Sequence, residues 1–171
     1  MLVIKAPDSR LRVQTKPVKK INQALQNTLK EMIKLTKTFK DPEGVGLAST
    51  QVGLQESFFV AKKDEKFISV INPKIISISK RTKKYFEGCL SIPNTWGEVK
   101  RAISIKVSYQ ESSGKTITKT LTGVQAWIFQ HEIDHLNGVL FADRVLEQKG
   151  KFYKYTGKDK TGTDVFEEIT I

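Results

Sequence analysis

The chain has 171 residues, of which 39% are hydrophobic and 27% charged, and a formal net charge of +11. That length suits one domain spanning 1–171 with a sizeable core. No apolar run approaches the roughly 18 residues of a membrane span, which excludes a membrane protein of that kind, and the N-terminus meets Pro7 and Asp8 too early for a signal-peptide core.

The single cysteine, Cys89, excludes an internal disulfide framework and suits a reducing, cytoplasmic setting. Lysine is spread widely, without an RNP-type, zinc-finger or arginine-rich pattern. Most of the charge therefore reads as a solvated surface, with no specific DNA binding and at most a transient contact with ribosomal RNA.

Residues 1 to 20 alternate basic and apolar positions and predict an extended arm. From Ile21, the positions Ala24, Leu25, Leu29, Met32, Ile33 and Thr36 trace one helical face and Lys30, Lys34 and Lys37 another. They predict an amphipathic helix that covers a sheet and ends before Asp41-Pro42. Gly44 to Gln51 is rich in small residues, which lets backbone approach a ligand closely or simply turn. Ser57 to Ala61 and Phe67 to Ile71 predict short strands, and Asn72-Pro73 a turn into a third, Lys74 to Ser79.

A basic turn, Lys80 to Lys84, precedes Glu87-Gly88-Cys89-Leu90-Ser91. A long alternating run follows, with Val99, Ile103, Ile105, Val107 and Tyr109 on one face, and Ser112-Ser113-Gly114 makes a hairpin to Lys115–Leu121. Thr122-Gly123-Val124-Gln125 fits a capping box, so a helix starts there. Val124, Trp127, Ile128, His131 and His135 then recur at helical spacing until Asn137-Gly138. Beyond it, Gly150, Gly157 and Gly162 interrupt a lysine-rich segment, and Thr163 to Ile171 reads as strand.

The chemistry is concentrated in the last helix. His131 and His135, the only histidines, stand four residues apart and so share one helical face, where a single cation can bridge them. Glu132 is placed to take a proton from water held by that cation, which is the H-E-x-x-H pattern. A catalytic site of this type has three protein ligands and an open position. Asp134, Glu147 and Cys89 are candidates by residue type. Asp134 points about 100° away from His135, Glu147 lies close to the helix end, and a thiolate at Cys89 is the strongest ligand of the three.

Gly44-Val45-Gly46-Leu47-Ala48-Ser49-Thr50-Gln51, Glu87-Gly88-Cys89-Leu90-Ser91 and Gln130-His131-Glu132-Ile133-Asp134-His135-Leu136-Asn137-Gly138 resemble, in order, the three signature motifs of peptide deformylases. The first departs by Ser49 where the family usually has alanine. The likeness extends to about Asp143. It implies an α+β fold, with mixed or antiparallel strands packed around a central metal-binding helix and a second amphipathic helix near the N-terminus.

It also implies a hydrolase acting in N-terminal methionine processing during protein biosynthesis, which removes the formyl group from N-formylmethionyl peptides. Cys89, His131 and His135 would hold one divalent metal, typically Fe²⁺, with Zn²⁺, Ni²⁺ or Co²⁺ also accepted, and water in the fourth position. Glu132 would move the proton, and the Gln51 side chain and the Leu90 backbone N–H would stabilise the oxyanion. Gly46 would pair with the extended peptide. By position, Val45, Val124, Trp127 and Ile128 are candidates for the methionine pocket or for plain core.

Glu87 is expected to orient a ligand or to pair with Arg101. The sequence departs from many bacterial members at Trp96, where they carry a basic residue, and at the C-terminus, where a long ribosome-docking helix is replaced by glycine and β-branched residues. Lys149, Lys151, Lys154, Lys158 and Lys160 keep RNA contact open. Two competing readings are an H-E-x-x-H metallopeptidase that cuts internal amide bonds and an inactive RNA- or ribosome-binding module.

Overall fold

The computed structural model describes residues 1–40 and 43–170. Among them, β1 (Gly46–Ala48), β2 (Phe58–Lys63) and β3 (Lys66–Ile78) join β6 (Ser104–Gln110) and β7 (Thr116–Thr122) in an antiparallel sheet of that order. A second antiparallel sheet runs β4 (Thr82–Cys89), β5 (Ile92–Ala102), β8 (Phe152–Lys158) and β9 (Asp164–Ile169). The helices are α1 (Gln23–Thr36), α2 (Gly123–Leu136) and α3 (Phe141–Glu147). The α+β fold expected from the sequence is the fold observed.

Strand alternation explains the layering. In β2, Phe59 and Ala61 face one way and pack in a cluster with Ile128 and Phe129 of α2, whereas Phe58 and Val60 face the other and pack with Leu29 and Met32 of α1. The first sheet is thus covered on both faces. Phe129 is fully buried, with its ring edge-on to Phe59 at 5.1 Å. The second sheet has its own cluster, formed by Cys89, Val99 and Phe152 with Phe141 and Val145 of α3.

Several local expectations are corrected. The amphipathic helix starts at Gln23, because the Asn22 side chain accepts the Leu25 N–H at 2.9 Å, and it ends at Thr36. Its proposed stop, Asp41-Pro42, lies outside the described residues, as does Ile171 of the last strand. Asn72-Pro73 does not turn the chain. Asn72 adopts φ +51° within β3, and the register against β6 shifts between Ile71 and Lys74, so a bulge absorbs the proline while the strand continues.

The basic residues after Arg81 already belong to β4. The alternating run from Val99 to Tyr109 is two strands in different sheets, with half-buried Ile103 between them. At α2 the capping box does not form: Thr122 makes no side-chain cap, and Gln125 Nε2 instead donates to the Lys62 carbonyl at 2.8 Å. Val124 is 57% exposed on the first turn rather than part of the buried stripe. The short helix α3 and the strand β8 had no clear signal in the sequence.

The two faces of α2 should respond differently to mutation. Phe129→Ala is expected to lose about 3–5 kcal/mol in urea unfolding, while Val124→Ser stays within about 0.5 kcal/mol of the parent chain.

Candidate active site

Helix α2 is unusual in what it buries. Gln130, His131, Glu132, Asp134 and His135 are all buried, so each polar group needs a partner. Gln130 answers by bonding the backbone of Ala102 through both side-chain atoms, at 3.1 and 3.0 Å. That fixes the helix against the end of β5. Asp134, considered above as a ligand by residue type, is held by Arg101 at 2.5 Å and by Arg144 at 2.7 Å. Glu147 is bonded to Arg144 at 3.0 Å. Neither joins the histidines.

Cys89 does. It ends β4, and its Sγ lies 3.2 Å from His135 Nε2. Ligand atoms of Cys89, His131 and His135 all fall within 4.8 Å of one another, and the three side chains are buried. Glu87, two residues earlier on the same strand and wholly buried, supplies the fixed point. It accepts from Arg101 Nε and Nη2 at 2.7 and 3.0 Å and from His131 Nδ1 at 2.8 Å. The two expectations for Glu87, orienting a ligand and pairing with Arg101, are thus met by one carboxylate. Because Nδ1 of His131 carries the donated proton, Nε2 is the nitrogen left to bind a cation.

The electrostatics follow from this packing. Burial opposes ionisation of Glu87, but its bonds to Arg101 and His131 prevail and hold it at about 2. Burial likewise opposes a Cys89 thiolate, and the adjacent His135 and His131 overcome it, so the thiol lies well below its ordinary value. Glu132 is different. Burial dominates and raises it to about 7, and its Oε2 has no hydrogen-bond partner among the described residues. Buried thiolate and imidazole donors, with an orphaned carboxylate oxygen beside them, fit a divalent cation of borderline softness with one open position.

A cavity of about 170 Å³ opens at this cluster, with Gln51, Leu90, Cys89, His131 and Glu132 in its wall. Val45, Gly46, Trp127 and Ile128 line it too; Val124 does not. Gln51 sits in a short 3₁₀ turn, Ser49–Val52, after β1. Its Oε1 accepts the Ala48 N–H at 2.8 Å, which aims Nε2 at Cys89 Sγ (3.4 Å) and Ser91 Oγ (3.1 Å). Ser91 is a partner that residue typing alone missed, although it closes the Glu87–Ser91 segment. Gly46 is required by contact: a Cβ there would stand 2.2 Å from Glu132 Oε1.

The chain is similar to known proteins over most of its length. The family profile described as polypeptide deformylase matches residues 1–151. The chain is similar to the peptide deformylase of Thermotoga maritima, at 43% identity over 142 residues, covering 83% of this chain and 85% of that protein. The crystal structure of the Thermotoga maritima peptide deformylase superposes with a TM-score of 0.78 at 42% identity, covering 83% of this chain and 95% of that one. A Met-Ala-Ser-bound class I type b peptide deformylase from Acinetobacter baumannii gives 0.77 at 29% identity, covering 84% and 97%.

Glu87 has a folded-state value of about 2 against an ordinary 4.5, so its ionised form contributes stability above pH 4.5 that is lost as the pH falls towards 2. Glu87→Gln should therefore flatten the acid limb of a stability–pH curve. At pH 7 it should cost about 3–5 kcal/mol in urea unfolding, because Arg101 Nε and Nη2 lose the buried charge they bond while only Nη1 keeps a carboxylate, that of Asp134.

Proposed function

Because the chain belongs to the peptide deformylase family, we infer that this site removes the formyl group from N-formylmethionyl peptides and releases formate and a free amino terminus. The observation that carries the residue roles is the buried Glu132 oxygen, which has no hydrogen-bond partner among the described residues, in a carboxylate that lines the same cavity as Cys89, His131 and the Gln51 side chain.

Cys89, His131 and His135 would hold one divalent ion. Fe²⁺ is the identity the family favours, and Zn²⁺, Ni²⁺ and Co²⁺ share its preference for thiolate and imidazole. When bound, the ion supplies Lewis acidity, which makes water a nucleophile near neutral pH and polarises the formyl oxygen. Glu132 takes a proton from water as the new C–O bond forms at the formyl carbon, and returns it to the nitrogen as the C–N bond breaks. Burial raises its proton affinity and so suits it to hold that proton between the two steps.

The Gln51 Nε2–H and the Leu90 backbone N–H act as oxyanion donors. The peptide enters extended. Strand β1 is an edge of its sheet, and a substrate can add there through the backbone at Gly46. The methionine side chain lies against Val45, Trp127 and Ile128, without Val124. In the Acinetobacter baumannii relative the bound molecule is Met-Ala-Ser, a peptide of the length and start this arrangement would accept.

We place the protein in the cytoplasm, where formylated chains emerge; its single buried Cys89 suits that compartment. The net charge of +11 supports transient, salt-sensitive contact with the ribosome.

Metal-loaded protein should release formate from a formyl-Met peptide, lose the activity on chelation and regain it with added metal. Glu132→Ala should keep its metal and lose at least about 10²-fold in kcat. Gln51→Leu should lose about 10²–10³-fold. Internal cleavage of unformylated peptides without formate release would sink the assignment.

A further inference from the structure

The chain continues past residue 151, where the family match ends, and the continuation is an ordered hairpin. Strand β8 pairs with the free edge of β5 through Thr95 with Lys154, Trp96 with Tyr153 and Gly97 with Phe152, and β9 returns along it. Phe152 is buried in the cluster with Phe141 and Val145, which anchors the hairpin at its base.

Above that anchor its side chains complete an aromatic group. Phe86 stacks on Trp96 at 5.5 Å, Phe166 of β9 meets Phe86 and Trp96 edge-on at 4.9 and 5.4 Å, and Tyr155 of β8 lies 5.6 Å from Phe166.

This group borders the reaction site. The Trp96 ring covers Gly88, where a Cβ would come within 2.9 Å of it, and lines the cavity at the metal cluster. Trp96 also lines a second groove, of about 620 Å³, to which the hairpin contributes Tyr155, Lys158, Asp164 and Phe166. The two spaces share Glu43, Gly88, Cys89 and Leu90. An extended chain advances about 3.3 Å per residue, so a peptide with its formyl end at Cys89 and Leu90 has a continuous path into the groove.

The charge of the groove is directional. Its two carboxylates are already held, Glu43 by Lys62 at 2.5 Å and Asp164 by Lys158 at 2.7 Å. Lys5, whose Nζ bonds the Leu90 carbonyl, and Lys40 line the same groove and add positive charge to it.

We propose that the β8–β9 hairpin is a substrate-specificity element. With Trp96 it walls a groove that receives the peptide residues after formylmethionine and favours an acidic over a basic side chain there. This rests on the deformylase reading above, and goes beyond it by giving a role to residues outside the family match.

The test compares kcat/KM for formyl-Met-Ala, formyl-Met-Ala-Ser-Glu and formyl-Met-Ala-Ser-Lys, using metal-loaded parent protein, Phe166→Ala, Phe166→Leu and Tyr155→Ala. In the parent, the glutamate tetrapeptide should exceed the dipeptide by about fivefold and the lysine tetrapeptide by about threefold less, a gap that narrows at high salt. Phe166→Ala and Tyr155→Ala should each cut the tetrapeptide-to-dipeptide ratio by about threefold or more, and Phe166→Leu, which keeps an apolar wall, by less.

Circular dichroism reports whether each variant is folded, and Tyr155→Ala decides the matter if Phe166→Ala is not. A ratio that stays at the parent value in the folded variants overturns the proposal. Absence of formate from formyl-Met-Ala with the parent protein would instead remove the deformylase reading, and the groove's role with it.

Discussion

The site depends on one buried carboxylate. Glu87 has no solvent exposure, and a charge in that position is tolerated only because Arg101 grips both of its oxygens and His131 donates to one of them. Removing the positive partners would leave an ion in a medium that cannot solvate it. Removing the carboxylate would free the His131 ring to rotate or to exchange tautomers, and Nε2 would no longer be reserved for a cation. The same Arg101 also bonds Asp134, one turn along from Gln130, and Asp134 is bonded in turn by Arg144 in the middle of α3. The chain of charges therefore ties β4, β5, α2 and α3 to one another at the point where Cys89 meets the histidines. Positioning of the donors and packing of the second sheet are one constraint.

How much of this was legible in the sequence follows from how local each feature is. The histidine spacing is set by helical geometry, so His131, Glu132 and His135 were readable as a unit. Cys89 was readable only as the best remaining donor, because its approach to His135 is made across 46 positions by the packing of α2 against β5, the strand that β4 pairs with. Glu87 carried two expectations that seemed alternative. They are one arrangement, because a carboxylate has two oxygens and enough lone pairs to serve both partners.

The misreadings have equally physical causes. Helical periodicity places Val124 on the buried stripe, but on the first turn of α2 the residue turned into the core is Ala126, which leaves Val124 on the solvent side. Asn72-Pro73 has the composition of a turn, and a bulge satisfies the same backbone demands without ending the strand. The strand β8 was hidden because its partner is the edge of β5, more than fifty residues earlier, and nothing in a lysine- and glycine-rich segment marks such a pairing. The helix α3 has only seven residues, too few for a periodic signal.

The glycines of the first motif show where a correct residue-level inference needed a different cause. Their smallness predicts either a close approach of backbone to a ligand or a plain turn. In the structure it is first required by the protein itself: a Cβ at Gly44 would stand 2.3 Å from the Thr36 carbonyl oxygen, and one at Gly46 would stand 2.2 Å from Glu132 Oε1. Gly44 thus lets the chain pass close to the end of α1, and Gly46 lets β1 lie against the buried Glu132 carboxylate. Any side chain at Gly46 would push Glu132 away from the three donors or open a gap through which water could solvate it. Either change would weaken the burial that raises its proton affinity. Edge strand, glycine and buried acid are therefore coupled: the strand that ends the first sheet is also the strand that keeps Glu132 dry.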